Sequence, residues 1–243
     1  MDVVAELGKP LRHQWKELLN DHEHRSYAAY CPRAVDAATA WRWFETLKIL
    51  PWLDLRDERH QADGRTIPRR TVFMVNSGCK CVYKYSGVKV PPLVEPQGVA
   101  EIREMCVALA GLKTQPNSCN VNIYEDGMGS VGWHTDNEPI FEAEYQDACI
   151  LSLSLGGARK FQLKRQKRSS ALGWTGPSPE ESRPMTVTLS HGDLCTMEGM
   201  FQRHYLHAVP KEPRVHEPRI NLTWRWITKH NKEDGCPLHG PGN

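Results

Sequence analysis

The chain lacks any long apolar run, and no stretch approaches the roughly 18 consecutive apolar residues that a membrane-spanning helix needs. Its first residues, MDVVAELGKPLRHQWKELL, lack a basic start followed by an apolar core, so no secretory signal is visible. The net charge is only +2, from 31 basic and 29 acidic residues. A charge this small neither requires nor excludes binding to nucleic acid. These absences predict an intracellular protein of the nucleus or cytoplasm, not secreted and without a membrane partner.

Cysteine pairs at zinc-finger spacing are also lacking. The eight cysteines are scattered, and without a signal peptide they are expected to be free thiols in a reducing compartment. Cys79 and Cys81 form a C-K-C motif, but zinc fingers usually have at least two residues between the thiols. No second pair follows at a matching distance, so we expect no structural zinc site.

Internal repeats are absent, and the length of 243 residues suits one domain with a sizeable core. We expect a polar, loosely attached N-terminal segment over 1–30, a single domain over 31–230 and a flexible tail over 231–243. A basic, then Ser- and Pro-rich stretch over 164–185 is typical of a long inserted surface loop. We expect a monomer.

Two helices and many short strands are predicted. Helical spacing of apolar residues indicates helices over 34–50, ended by Pro51, and over 98–112, with Gly111 as a stop. Later segments are short, mostly alternating and rich in β-formers, with Gly, Pro, Asn and Asp between them. The pattern predicts a mainly β (α+β) fold, a sandwich or jelly-roll core with N-terminal flanking helices.

The segment WHTDNEP, residues 133–139, places a histidine and an acid close together. On a strand, residues i and i+2 point to the same side, so His134 and Asp136 reach one point. They form part of a 2-His-1-carboxylate triad, which suits non-haem Fe(II) and leaves metal positions open. A polar surface turn is the alternative interpretation of this motif alone.

A third ligand must come from a histidine further along the chain. The candidates are His191, His204, His207 and His216. His191 lies in SHGD, a predicted turn in which it hydrogen-bonds locally. His207 ends a β segment that a returning jelly-roll strand can bring opposite His134, whereas His204 would face the other way. We therefore predict His207 as the third ligand.

The segment RINLTWRWI, residues 219–227, alternates two kinds of side chain. Arg219, Asn221, Thr223 and Arg225 share one face, and apolar residues occupy the other. Because a buried guanidinium needs a partner and its planar fork matches carboxylates, the polar face predicts a small dicarboxylate. The alternative is the solvated outer face of a two-sided sheet.

The motifs NIYEDG, HTD, SLSLGGARKFQLK, HGDLCTMEGMFQRHYLHAVPK and PRINLTWR occur in the order seen in AlkB-type Fe(II)/2-oxoglutarate dioxygenases. The resemblance spans about residues 66–228 and is close to the eukaryotic homologues that repair alkylated DNA. It implies a double-stranded β-helix fold, Fe(II), 2-oxoglutarate and O2. It implies His134, Asp136 and His207 as the iron ligands. The resemblance also implies that Arg219 and Tyr124 hold the distal carboxylate of 2-oxoglutarate. Arg225 and Asn122 would hold the carboxylate next to the keto group. Asn221 and Thr223 would support that pocket.

The implied reaction is the oxidative demethylation of N-alkylated bases of the 1-methyladenine and 3-methylcytosine type in DNA or RNA. Succinate, CO2 and formaldehyde are released. Such a base must be flipped out or already single-stranded to be reached. The resemblance implies that Tyr83 and Tyr85 hold the base against His134, that Glu138 contacts its edge, and that Arg69 lies beside the site.

A cluster of cations is predicted to bind the nucleic-acid backbone. The segment KRQKR supplies Lys164, Arg165, Lys167 and Arg168, for which a solvated hairpin tip is the alternative interpretation. Two other functions stay open. One is a 2-oxoglutarate oxygenase acting on a protein or lipid, and the other is a catalytically silent nucleic-acid-binding module.

Overall fold

The structure, a computed structural model, describes residues 14–55, 67–85, 87–166 and 183–238. Fifteen strands and three α-helices lie within these ranges. The strands are β1 Lys16–Asp21, β2 Ser26–Cys31, β3 Leu53–Asp54, β4 Arg70–Val75, β5 Tyr83–Tyr85, β6 Val88–Val90, β7 Pro92–Val94, β8 Ser118–Tyr124, β9 Val131–His134, β10 Ala148–Gly156, β11 Arg159–Arg165, β12 Met185–Leu189, β13 Asp193–Gly199, β14 Tyr205–Val209 and β15 Arg219–Arg225. The helices are α1 Ala37–Leu47, α2 Gln97–Ala110 and α3 Phe201–His204.

The described strands form two main sheets. The large sheet has the order β1-β2-β13-β10-β15-β8-β4-β3, with β7 parallel to β4. The small sheet has the order β12-β11-β14-β9, and β5 pairs with β6 in a separate two-stranded sheet. Apolar side chains from both main sheets, among them Ile150, Phe161 and Met197, form one core cluster. This architecture agrees with the predicted mainly β jelly roll.

The two long helices confirm the sequence prediction with shorter bounds. The Asp36 carboxylate caps α1 by accepting a 3.0 Å hydrogen bond from the Thr39 N–H. Gly111 ends α2 with a φ of 69°, a left-handed conformation that glycine adopts without strain. Phe44 and Ile102 pack from these helices into a second cluster on the large sheet. None of the described helices has the length and apolarity needed to cross a membrane.

The structure differs from the prediction at both ends of the described chain. Residues 16–31 were expected to be mostly a loose segment, but they form β1 and β2, and β2 extends the large sheet by pairing with β13. In the predicted tail, Lys232–Asp234 forms a 3-10 helix and Cys236 is buried. Residues 1–13 and 239–243 lie outside the described residues.

The predicted inserted loop begins later than expected, because β11 continues to Arg165. Lys164 and Arg165 therefore belong to a strand of the small sheet. Residues 167–182, and with them Lys167 and Arg168, lie outside the described residues.

Strand β15 positions the polar site because it lies between β10 and β8 in the large sheet. Its alternation is as predicted: Ile220, Leu222 and Trp224 enter the core cluster under the helices. Residues on the other face, Arg219, Asn221, Thr223 and Arg225, are also buried, at 1–9 % exposure. A solvated outer face is therefore excluded, and the two arginines need partners inside the protein.

Truncation of Trp224 tests how far this strand depends on its apolar face. Trp224 is fully buried, and we expect Trp224→Ala to lower the free energy of unfolding by about 3–5 kcal/mol through lost burial and a residual cavity. Trp41, which is 51 % exposed on α1, is the matched control, and Trp41→Ala should cost about 1 kcal/mol or less. Urea denaturation monitored by circular dichroism measures both. Equal losses would contradict the packing described.

Candidate active site

Three metal-ligating side chains meet in the cleft between the two main sheets. Strands β9 and β14 pair so that His134 lies opposite His207. Asp136 follows two residues later, with its Oδ1 3.5 Å from His134 Nε2 and 3.8 Å from His207 Nε2. One ligand atom from each residue lies within 4.8 Å of the others, a spacing that one ion can bridge. The structure thus brings together the three residues predicted to form the triad.

Neighbouring groups hold each of the three in a form that can bind a metal. The Nδ1 of His134 lies 2.8 Å from the Gly132 carbonyl, so this nitrogen carries the proton and leaves Nε2 free. Burial and the neighbouring His134 lower the pKa of His207 to about 3, which keeps its imidazole neutral near pH 7. The Asp136 N–H donates to the side-chain oxygen of Gln202 at 2.8 Å, which fixes the backbone at this ligand.

The Arg225 guanidinium is the partner of the Asp136 carboxylate. Nη2 of Arg225 donates to Asp136 Oδ2 at 2.6 Å, and both side chains are buried. Burial alone would raise the pKa of Asp136, but Arg225 and the two histidines hold it well below its usual range. Nη1 of Arg225 donates to the Tyr83 hydroxyl at 3.0 Å. Arg225 therefore joins the metal triad to the aromatic strand β5.

The second guanidinium of β15 has spare donors. Arg219 is 1 % exposed and donates through Nη2 to Ser154 Oγ at 2.8 Å, and its Cζ lies 5.3 Å from the ring centre of Tyr124. Its Nε and Nη1 have no hydrogen-bond partner among the described residues. A buried guanidinium with unsatisfied N–H donors suits a carboxylate oxygen as an acceptor. This end of the site suits one carboxylate of a small dicarboxylate.

The remaining polar residues line a cleft of about 880 Å³ that contains the triad. Asn122 lies opposite Asn221 in the β8–β15 pairing, and Thr223 lies one pair further along the same face. Asn122, Tyr124, Asn221, Thr223 and Arg225 all line the cleft. Arg219 does not, but its contacts Tyr124 and Asn221 do.

Two tyrosines and an acid form one wall of the same cleft. The rings of Tyr83 and Tyr85 are 4.8 Å apart, and Phe73 stacks behind Tyr83 at 4.9 Å. The Tyr83 hydroxyl donates to Glu138 Oε1 at 2.7 Å. Burial and the Asp136 carboxylate raise the pKa of Glu138. Arg69, just before β4, donates to Asn122 Oδ1 at 3.0 Å and has its Cζ 5.7 Å from the Tyr85 ring centre.

The two described cations of the basic cluster have different surroundings. Lys164 Nζ lies 4.2 Å from the ring centre of Trp133, an exposed tryptophan that lines the cleft. Arg165 turns instead to His24, with its Nη2 2.8 Å from the His24 Nε2. Of these two residues, Lys164 is the one adjacent to the cleft.

The other histidines considered as ligands lie away from the triad. His191 Nδ1 accepts a 2.8 Å hydrogen bond from the N–H of Gly156, 35 residues earlier, and not from its own turn as predicted. His204 lies in α3, not on a strand, with its ring 4.9 Å from that of His24. His216 is exposed.

Sequence reasoning missed a second group of metal-ligating side chains. Cys79, Cys81, His230 and Cys236 come together, with one ligand atom from each within 4.8 Å of the others. No structural zinc site was expected at Cys79 and Cys81 from the sequence, and these two residues were not connected with His230 and Cys236. The signal was present in the combination of C-x-C with a distant H-x5-C, which no local spacing rule connects.

The ion pair between Asp136 and Arg225 gives a prediction about the metal-free protein. Asp136→Asn leaves Arg225 as an uncompensated buried charge, and we expect a loss of about 3–5 kcal/mol in the free energy of unfolding. Asp147, paired with the exposed Arg25, is the matched control, and Asp147→Asn should cost about 1 kcal/mol or less. Chemical denaturation in the presence of a chelator measures both. A small loss for Asp136→Asn would refute the structural importance of the pair.

Comparisons with known proteins agree with this geometry. The model of the 2OG-Fe(II) oxygenase superfamily matches residues 28–225. The DNA oxidative demethylase ALKBH2 of Arabidopsis thaliana is 32 % identical over 85 % of this chain and 68 % of its own length. The alpha-ketoglutarate-dependent dioxygenase alkB homolog 3 of Bos taurus is 37 % identical over 83 % of this chain and 66 % of its own.

A solved structure, described as the structure of OsALKBH1, shares the fold. It superposes with a TM-score of 0.51 at 16 % identity, covering 82 % of this chain and 96 % of the other. The chain spans about two thirds of the length of the two relatives above. On the family match, the relatives and the jelly-roll fold, the chain belongs to the AlkB-type Fe(II)/2-oxoglutarate-dependent dioxygenases.

Proposed function

We propose that the protein oxidatively demethylates N-alkylated bases of the 1-methyladenine and 3-methylcytosine type in DNA or RNA. One observation carries the substrate class. Glu138 Oε2 is buried beside the metal triad and the Tyr83–Tyr85 wall, and it has no hydrogen-bond partner among the described residues. Both lesions are flat, carry an exocyclic amino group and are cationic, so they match an aromatic wall with a spare carboxylate oxygen.

In this proposal the chain holds the iron through His134, Asp136 and His207. Arg219 and Tyr124 hold the distal carboxylate of 2-oxoglutarate, and Arg225 and Asn122 hold the carboxylate beside the keto group, with Asn221 and Thr223 supporting the pocket. The unsatisfied nitrogens of Arg219 support the first assignment. When bound, iron and 2-oxoglutarate supply the oxidation of the N-methyl group by O2, with release of succinate, CO2 and formaldehyde.

The residues of the chain position the base. A base that leaves the stack enters the cleft and rests on Tyr85 and Tyr83, which face the triad. Glu138 Oε2 accepts a hydrogen bond from the exocyclic amino group, while Oε1 stays bonded to Tyr83. The cationic base also compensates the Glu138 carboxylate, whose pKa burial raises. The N-methyl group is thereby directed toward His134 and His207.

In this proposal, cations at the rim of the cleft contact the phosphate backbone of the nucleic acid. Lys164 beside the exposed Trp133 offers a phosphate contact next to a surface on which a neighbouring base can stack. Arg69 is placed at the other side, where it contacts both Asn122 and Tyr85. Lys167 and Arg168 keep their assignment as phosphate contacts on sequence grounds alone.

A single strand is the substrate form that the surface favours. Proteins that open a duplex frequently insert an apolar side chain between base steps. The exposed residues of the turn before β5 are Ser77, Gly78 and Lys80, and none of them is an apolar wedge. We therefore propose that an unpaired lesion is accepted more readily than one in a duplex.

A demethylation assay by mass spectrometry tests the function. Short single and double strands of DNA and RNA with one 1-methyladenine or 3-methylcytosine are incubated with the protein, Fe(II), 2-oxoglutarate and air. We expect loss of the methyl mass with the wild type, faster in single strands, and none with His134→Ala. Succinate formation without demethylation would overturn the proposed substrate. Neither product, with iron bound, would favour a silent nucleic-acid-binding module.

Lys164→Ala tests the phosphate contact. We expect weaker binding to an unmodified single strand and a salt dependence of log K that is shallower by about 0.7, since one cation contact is lost. Lys160, four residues earlier on the same face of β11 and 3.6 Å from Glu212, is the matched control. Lys160→Ala should leave the slope unchanged. Fluorescence anisotropy over a salt series measures both, and equal slopes for all three proteins would refute the contact.

A further inference from the structure

A cluster of three cysteines and one histidine lies apart from the iron triad and has no part in the proposed reaction. Cys79 and Cys81 precede β5, and His230 and Cys236 follow β15. More than 140 residues of sequence separate the two halves. We propose that these four side chains form a structural Zn²⁺ site, which clips the segment after β15 to the aromatic strand of the substrate cleft.

Four of the six distances between the ligand atoms match those of a tetrahedral zinc site. His230 Nδ1 lies 3.7 Å from Cys79 Sγ, 3.6 Å from Cys81 Sγ and 3.5 Å from Cys236 Sγ. The sulfurs of Cys79 and Cys236 are 3.9 Å apart. A regular tetrahedron with Zn–S of about 2.3 Å and Zn–N of about 2.0 Å gives about 3.5 Å for N···S and about 3.8 Å for S···S.

The ligand set distinguishes this site from the iron triad. Three thiolates and one imidazole complete a four-coordinate shell, which is characteristic of structural zinc and leaves no position for substrate. Thiolates select soft metals, whereas the His134–Asp136–His207 triad has none. The other five cysteines, Cys31, Cys106, Cys119, Cys149 and Cys195, belong to no such group among the described residues.

Backbone donors surround the sulfurs as outer partners of a metal site do. The Asn231 N–H donates to Cys81 Sγ at 3.4 Å, and the Lys80 N–H donates to Cys236 Sγ at 3.4 Å. These bonds disperse the negative charge of thiolates and hold the ligands in place. Cys81 and Cys236 are fully buried, so the site is shielded from water on the sulfur side.

The clip acts beside a hairpin that packs on the core through its side chains but is joined to neither main sheet by pairing of the described strands. Strands β5 and β6 pair only with each other among the described strands, and an isolated hairpin is marginally stable. Cys81 precedes Tyr83 by two residues. Asp234, between His230 and Cys236, accepts hydrogen bonds from the Val82 N–H and from Lys84 Nζ, both at 2.9 Å. A metal at this point therefore fixes the strand that carries Tyr83 and Tyr85.

Metal analysis of the purified full chain, kept reduced, tests the proposal. In a His134→Ala background, which disables the iron triad, we expect one zinc per chain by mass spectrometry of the metal. Cys236→Ser in that background should lose it. Cys106→Ser, a change at a buried cysteine in α2, is the matched control and should keep it.

Cobalt substitution of the otherwise unaltered chain gives a readout that does not depend on whether a cysteine variant folds. Co²⁺ at this site should produce a thiolate-to-cobalt charge-transfer band, which the thiol-free triad cannot give, together with the visible bands of a tetrahedral ion. Hydrogen exchange over 79–85 should rise when the metal is chelated. Absence of both zinc and the charge-transfer band would overturn the proposal, as would a Cys79–Cys236 disulfide in place of the metal.

Discussion

The Arg225–Asp136 ion pair is the interaction on which the site depends. A guanidinium this deeply buried is stable only with a charged partner, and its partner here is a predicted metal ligand. The other terminal nitrogen of Arg225, Nη1, donates a hydrogen bond to the Tyr83 hydroxyl, which in turn donates to Glu138 Oε1. One side chain thus sets the positions of the Asp136 carboxylate, the aromatic wall and the Glu138 carboxylate, although the wall and the two acids lie on separate segments of the chain.

The register of the sheets imposes the rest of the geometry. Because β15 pairs with β8, Arg219 lies opposite Tyr124 and Asn221 opposite Asn122. Because β14 pairs with β9, the two histidines face each other with ring centres 4.1 Å apart. A one-residue shift in the register of either pairing would move these side chains to the opposite face of the sheet. The backbone hydrogen bonds that stabilise the fold therefore also position the site.

The sequence predicted the parts of the molecule that follow from local periodicity. The alternation of β15, both long helices and the facing of His134 and Asp136 are of this kind. Contacts between segments that are distant in sequence could not be predicted, because no local pattern indicates which surfaces pack together. The ion pair of Arg225 with Asp136, the pairing of β2 with β13 and the meeting of Cys79 with Cys236 are examples. In the predicted flexible tail, the described residues up to 238 include a 3-10 helix and the buried Cys236, which the polar composition did not reveal.

The separation of β5–β6 from both main sheets has a consequence for how this enzyme can diversify. The triad and the guanidiniums are held by β9, β14 and β15, which are bonded on one or both sides to other strands. The aromatic wall belongs to a small hairpin whose backbone bonds do not enter that framework. Tyr83 is the exception, because its hydroxyl accepts a hydrogen bond from Arg225, the partner of Asp136. Sequence change elsewhere in the hairpin can alter which flat ligand fits while these bonds stay in place. The aromatic wall and the triad thus belong to separate backbone units that are joined at the hydrogen bond between Tyr83 and Arg225.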